Sequence, residues 1–247
     1  MTNARAWAVR HNLFGSHAFL RYVMFSFLEG LNEASDDFVL KGGNLLWFYI
    51  NTPRATVDLD LSTLTLGTQS TVRKALEKAC DKVTGIAYSI KSFDAIETVE
   101  KQGASVTIAY TTDQGATNTF AIDIVFKASD HFVEIASPIT DGHKIKAATY
   151  ENIIADKLAA VSRFGSGNTR LKDFDDLWRL AKTSPEIVPS TLKKLLKKRG
   201  LSAELELKWM SDPMKRSWIN HAKRYKDLPS SLDQVFSDVN AWLRNLV

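Results

Sequence analysis

The chain contains one cysteine, Cys80, so no internal disulfide framework and no cysteine-based zinc pattern is open to it. A reducing, cytoplasmic setting is the corresponding expectation, with Cys80 read as a small buried hydrophobe of a helical run. Histidine is also scarce: His11, His17, His131, His143 and His221 show no metal-ligand spacing on one element, which argues against a zinc hydrolase. No apolar run approaches the roughly 18 residues of a membrane span, and the polar residues 1–10 lack the apolar core of a signal peptide. Internal repeats and low-complexity segments are missing as well.

What is present is ordinary globular composition: 247 residues, 45% hydrophobic and 24% charged, long enough for one sizeable core or two modest ones. Lys plus Arg at 32 against Asp plus Glu at 28 gives a net charge of +4, a mild basic bias compatible with a polyanionic partner.

Helical periodicity runs over residues 7–32 as one or two helices. Phe38, Val39 and Leu40 then form a short extended run that stops at Gly42 and Gly43, and residues 45–50 resume as a helix. Two-residue alternation over 56–61 predicts a strand with Thr56, Asp58 and Asp60 on its wet face. An amphipathic helix over 69–83 is followed by strands near 86–91, 105–111 and 119–126. The spacing then predicts helices over 149–164, 171–182, 189–198 and 232–246. The expected architecture is α+β, a mixed sheet flanked by helices (residues 1–145) followed by a helical part (146–247).

The most informative stretch is Lys41-Gly42-Gly43-Asn44, then, after the fourteen residues 44–57, Asp58-Leu59-Asp60. Two carboxylates two apart on a strand point the same way, about 7 Å apart along the backbone, and reach one divalent cation from one face. A glycine turn opening a helix offers backbone N–H groups to a phosphate. Asp-x-Asp alone usually keeps an edge strand charged; its coupling to Gly-Gly favours the metal reading. Asp123, inside the apolar run Phe120-Ala121-Ile122-Asp123-Ile124-Val125-Phe126, is a third carboxylate, expected to be buried and to have a cation, an arginine or backbone donors as its partner. Such a set suits two-metal nucleotidyl transfer with Mg²⁺, since the donors are hard oxygens.

Farther along, Lys157 falls within the apolar stripe of its helix, so its ammonium needs an anion, either a triphosphate or a neighbouring aspartate. Asp173 and Asp176 share a helix face at i, i+3 spacing, with Asn168 or Thr169 as a candidate cap. Between 193 and 226, eleven Lys or Arg stand against three acidic residues, with Trp209, Trp218 and Tyr225 interleaved. That tract is either an RNA grip, with Lys197, Lys198, Arg199, Lys215 and Arg216 on phosphates and aromatics stacking an end base, or a solvated helical face whose tryptophans are core.

Phe38-Val39-Leu40-Lys41-Gly42-Gly43, Arg54-Ala55-Thr56-Val57-Asp58-Leu59-Asp60-Leu61, Ala155-Asp156-Lys157-Leu158-Ala159-Ala160 and Arg170-Leu171-Lys172-Asp173-Phe174-x-Asp176-Leu177 together resemble the AbiEii/AbiGii toxin family of nucleotidyltransferases, over residues 36–182. The resemblance implies a DNA-polymerase-β-like nucleotidyltransferase core with a helical C-terminal part. It also implies the toxin of a bacterial type IV toxin–antitoxin or abortive-infection system, acting in phage defence beside a separately encoded antitoxin. Some relatives, such as the MenT toxins, add nucleotides to the tRNA 3′ end and block translation. Carried onto this chain, the family pattern makes Asp58 and Asp60 the Mg²⁺ ligands, Lys157 the triphosphate contact and Asp173 a second essential acid. Gly42, Gly43, Asn44, Arg54 and Lys172 would hold the NTP, and Arg170 and Asp176 would support the site. Asn44 stands where many relatives have Ser or Thr, keeping a donor for phosphate but losing the hydroxyl.

The expected activity is therefore Mg²⁺-dependent transfer of NMP from an NTP to RNA, foremost the tRNA 3′ end. The alternatives are transfer to a protein hydroxyl, or an NTP-binding toxin without transfer.

Overall fold

The computed structural model describes residues 2–98, 102–127, 131–167, 170–202, 206–208 and 210–246. The chain divides into two compact units, residues 1–48 with 54–148, and residues 49–53 with 149–247.

In the first unit, α1 (Thr2–Arg10) and α2 (Gly15–Ala34) precede β1 (Phe38–Lys41), which runs directly into α3 (Gly42–Ile50). Next come β2 (Asp58–Thr63), α4 (Gln69–Cys80), β3 (Ile86–Glu97), β4 (Gln102–Thr112), β5 (Thr117–Val125), β6 (Phe132–Ala136) and β7 (Lys144–Ala148). The strands form one mixed sheet in the order β3-β4-β5-β2-β1-β7-β6. Two pairings are parallel, β2 with β5 and β1 with β7, and the others are antiparallel. This is the mixed sheet with flanking helices that the sequence predicts.

The side-chain alternation of a strand sorts β2 into two faces. Leu59 and Leu61 are fully buried, and Phe120, Ile122 and Ile124 of β5 are buried beside them. Asp58 and Asp60 take the opposite face, half-buried. The strand starts at Asp58, two residues later than the alternation suggests, so Thr56 lies in the preceding loop and Val57 is exposed. Strands β6 and β7 are additions to the expected set; β6 is mostly exposed and carries no clean alternation to betray it. α2 is the apolar backing of the unit, with Val23, Met24, Phe25, Phe27 and Leu31 fully or almost fully buried.

In the second unit, α5 (Tyr150–Phe164), α6 (Leu171–Thr183), α7 (Pro189–Lys198), α8 (Asp212–Ala222) and α9 (Leu232–Arg244) follow the helical expectation, with α8 a further helix. Thr149 caps α5 by accepting from the Asn152 N–H at 3.4 Å. The expected α6 caps Asn168 and Thr169 lie outside the described residues; the N-cap position is Arg170, without a side-chain cap bond. Cys80, at the end of α4, is half-buried and not the fully buried hydrophobe expected, and burial foremost raises its thiol pKa. No helix among the described residues is long and apolar enough to cross a membrane.

Gly42 is the tightest point of the first unit. Its φ of +72° is left-handed, and a Cβ there would collide with the Asp60 carboxylate, whose Cγ lies only 2.5 Å from that position. Gly142, with φ +83°, has open space around its missing Cβ. Gly42→Ala is therefore expected to cost about 1–3 kcal/mol in backbone strain plus the displacement of Asp60, while Gly142→Ala incurs the strain alone. Urea unfolding of the two variants checks this; equal losses would show that Gly42 is not in contact with Asp60.

Candidate active site

β1 ends at Lys41, the chain turns through Gly42 in the left-handed region, and α3 begins at once. The first N–H groups of a helix have no intrahelical partner and carry the positive end of its dipole. The antiparallel register of β1 and β2 places Lys41 opposite Asp60. A Cβ on Gly43 would meet Thr56 Oγ1 and would lie 2.7 Å from Arg54 Nη2, so the second glycine lets these two side chains lie against the helix start.

The parallel register of β2 and β5 pairs Asp58 with Ala121 and Asp60 with Asp123. Register neighbours share a sheet face, so all three aspartates stand on the face opposite Leu59 and Ile122. Asp123 is half-buried, which corrects the expectation of an interior carboxylate in need of a partner: its own face of β5 reaches solvent. Among the described residues no three His, Cys, Asp or Glu side chains are gathered tightly enough to hold an ion. The donor chemistry nonetheless fits a hard divalent cation: Asp58 and Asp60 supply carboxylate oxygens from one face, with Asp123 alongside.

Asn44 is corrected too. Its side chain is fully buried; Nδ2 donates to the Asp58 carbonyl at 2.6 Å, and Oδ1 accepts from Arg21 Nε at 3.2 Å. It ties α2, α3 and β2 together, and only its backbone N–H remains for a phosphate.

The second unit has its own charge cluster. Lys157 Nζ on α5 lies 2.5 Å from Asp176 Oδ2 and 3.4 Å from Asp173 Oδ1, and Arg170 Nε lies 2.8 Å from Asp173 Oδ2. The two aspartates are only 3% and 1% exposed, so these are desolvated carboxylates held by cations and not a solvent-facing first turn. Of the two anions the sequence offers Lys157, the structure supplies aspartates. Lys172 is exposed. Nearby in sequence, Asp175 accepts from Arg179 at 2.6 Å and lies 2.9 Å from His221 Nε2. Arg179 also grips Asp227, whose pKa is lowered chiefly by that hydrogen bond.

A family model described as nucleotidyl transferase AbiEii toxin, type IV TA system, matches residues 26–245. The chain belongs to that family. Membership makes it a nucleotidyltransferase toxin and implies a separately encoded antitoxin. Two solved structures share its fold. One is a candidate nucleotidyltransferase from H. pylori, 16% identical, with 95% of this chain and 96% of that one covered at a TM-score of 0.56. The other is JHP933 from Helicobacter pylori, also 16% identical, covering 91% and 88% at 0.55. No curated protein matches the chain.

The basic tract of this AbiEii chain is mixed in its exposure. Lys197, Lys198 and Arg216 are exposed. Arg199 instead lies 2.6 Å from Asp156 and bonds the Leu195 carbonyl, and Lys215 lies 2.8 Å from Asp233. Trp218 is fully buried with Nε1 on the Pro229 carbonyl, so it is core and no stacking platform; Tyr225 is half-buried under Arg179 and beside His221. Trp209 lies outside the described residues.

Arg21 is a residue that motif reading passes over, and Thr56, though inside a motif, is given no role by it. Arg21 has a visible signal, a cation inside the apolar run Phe19-Leu20-Arg21-Tyr22-Val23. Replacing Lys157 by Ala should leave Asp173 and Asp176 short of a shared cation and cost about 3–5 kcal/mol, whereas Lys172→Ala on the exposed face should stay within about 0.5 kcal/mol. Denaturant midpoints decide; equal midpoints would mean the cluster does not stabilise the second unit.

Proposed function

We propose that this AbiEii-family toxin transfers NMP from an NTP to RNA, with the tRNA 3′ end as the acceptor and Mg²⁺ as the cofactor. The observation that carries this reading is the in-register placement of Asp60 beside Asp123, with Asp58 on the same face, at the strand that backs the Gly42-Gly43 helix start.

In the transfer, an acceptor hydroxyl oxygen forms a bond to the α-phosphorus, the bond from that phosphorus to the β-phosphate bridging oxygen breaks, and pyrophosphate leaves. Asp58 and Asp60 would hold the divalent ion, which would supply positive charge against the phosphates. Asp123, half-buried and adjacent, takes either a metal-ligand role or the hydroxyl proton. Gly42 and Gly43 let phosphate oxygens approach the backbone N–H groups of α3, and Arg54 at Gly43 adds positive charge there. For the second unit, in which Asp173 and Asp176 hold the Lys157 ammonium, the family pattern proposes Lys157 as a phosphate contact and Asp173 as an essential acid. Lys197, Lys198 and Arg216 are exposed cations of the basic tract, and a nucleic-acid acceptor is favoured because exposed cations can meet a phosphate backbone.

The test incubates the protein with Mg²⁺, total bacterial tRNA and each α-labelled NTP in turn, beside Asp60→Ala. Label on the RNA 3′ end that disappears in the variant is the expected outcome, with at least about a hundredfold loss for a transition-state charge contact. Label on protein alone would replace RNA by a protein hydroxyl as acceptor, and no label on either would leave a nucleotide-binding toxin.

A further inference from the structure

Among the described residues of the first unit, the buried cation Arg21 has no ion-pair partner. Arg21, on α2, is 4% exposed. Its Nε donates to Asn44 Oδ1 at 3.2 Å, and its guanidinium carbon lies 4.5 Å from the centroid of the Trp47 ring. No carboxylate among the described residues forms an ion pair with it; the charge that acts on it is Arg54, of like sign. Burial first, and that repulsion second, draw its pKa down to about 10, so it stays protonated at neutral pH while its charge is held at a cost.

A second observation points to the same place independently. Thr56 is 7% exposed, and its Oγ1 is a buried hydroxyl without a hydrogen-bond partner among the described residues. Buried polar atoms are nearly always paired, so an orphan calls for an explanation. This one lies at the first turn of α3, within reach of where a Cβ of Gly43 would be, as does Arg54 Nη2. Trp47 Nε1 and Thr56 Oγ1 are the fully buried side-chain polar atoms without a partner among the described residues. The terminal nitrogens of Arg21 have no protein acceptor either and are absent from that sealed set, so they keep access to solvent.

We propose that Arg21 and the Thr56 hydroxyl, with Arg54, form an anion cradle around the N-terminal turn of α3 that takes the polyphosphate tail of the nucleotide. The nucleotide identity rests on the transferase reading above; the anion site does not. Arg21 supplies a planar fork of donors for phosphate oxygens. Thr56 supplies the hydroxyl that Asn44, turned inward to Arg21 and the Asp58 carbonyl, does not. Asn44 and the Trp47 ring hold the guanidinium in place, so the cradle exists before the anion arrives.

The probe is inorganic tripolyphosphate without Mg²⁺, added to the full chain and followed by thermal shift and calorimetry. The wild type should bind it saturably. Arg21→Gln, which keeps a donor for Asn44 but loses the charge, should weaken it about tenfold or more, and Thr56→Val a few-fold. Arg73→Gln, an exposed arginine of α4, should leave it unchanged. If the wild type fails to bind, or if Arg21→Gln lowers the melting temperature while keeping the affinity, the guanidinium is a brace for Asn44 and Trp47 and the inference is overturned. Should Arg21→Gln not fold, unaltered affinity in Thr56→Val overturns it equally. Tripolyphosphate binding through Arg21 in a protein that labels no acceptor would sink the transferase reading and leave the cradle. Normal labelling with an unchanged KM for NTP in Arg21→Gln would do the reverse.

Discussion

The parallel register between β2 and β5 is the constraint on which the first unit depends. It sets Leu59 against Ile122 and Leu61 against Ile124 in the core, and by the same pleat sets Asp60 against Asp123 on the other face. A slip of one residue would exchange the faces and drive the aspartates into the apolar layer. Burial of the leucines and isoleucines therefore fixes the positions of the carboxylates without any contact between the carboxylates themselves. The β1–β2 register then brings Lys41 and the Gly42 turn to the same row as Asp60. Only glycine fits there, since the left-handed φ and the Asp60 carboxylate each exclude a side chain.

The second unit is ordered by a different device. α6 buries Asp173, Asp175 and Asp176, and each has a cation or a histidine beside it: Lys157 and Arg170 for Asp173, Lys157 for Asp176, Arg179 and His221 for Asp175. Buried pairs of this kind stabilise little against an apolar replacement but fix geometry, because removing one partner strands the other.

Much of this was legible in the residues, and the parts that were not have physical causes. The strand, glycine turn and helix around Gly42 and the Asp58-Leu59-Asp60 alternation are local patterns and read directly. β6 escaped because it is mostly exposed and lacks alternation, and α8 because its charged surface resembles a basic tract. Side-chain commitments depend on tertiary neighbours: Asn44 bonds across to Arg21 and Asp58, Arg199 reaches Asp156, and Trp218 turns inward to Pro229. Arg21 was readable by the rule that singles out Lys157, a cation in an apolar stripe, yet it lies outside any motif.

If Asp58 and Asp60 hold a divalent ion as proposed, it sits on the β2 face beside the α3 start. Replacing Mg²⁺ by Fe²⁺ in the presence of an NTP and mapping hydroxyl-radical cleavage of the backbone tests it without reference to any acceptor. Cuts confined to residues near Gly42, Asp58, Asp60 and Asp123, and suppressed by excess Mg²⁺, are the predicted result. Cleavage centred elsewhere, or unaffected by Mg²⁺, would contradict it.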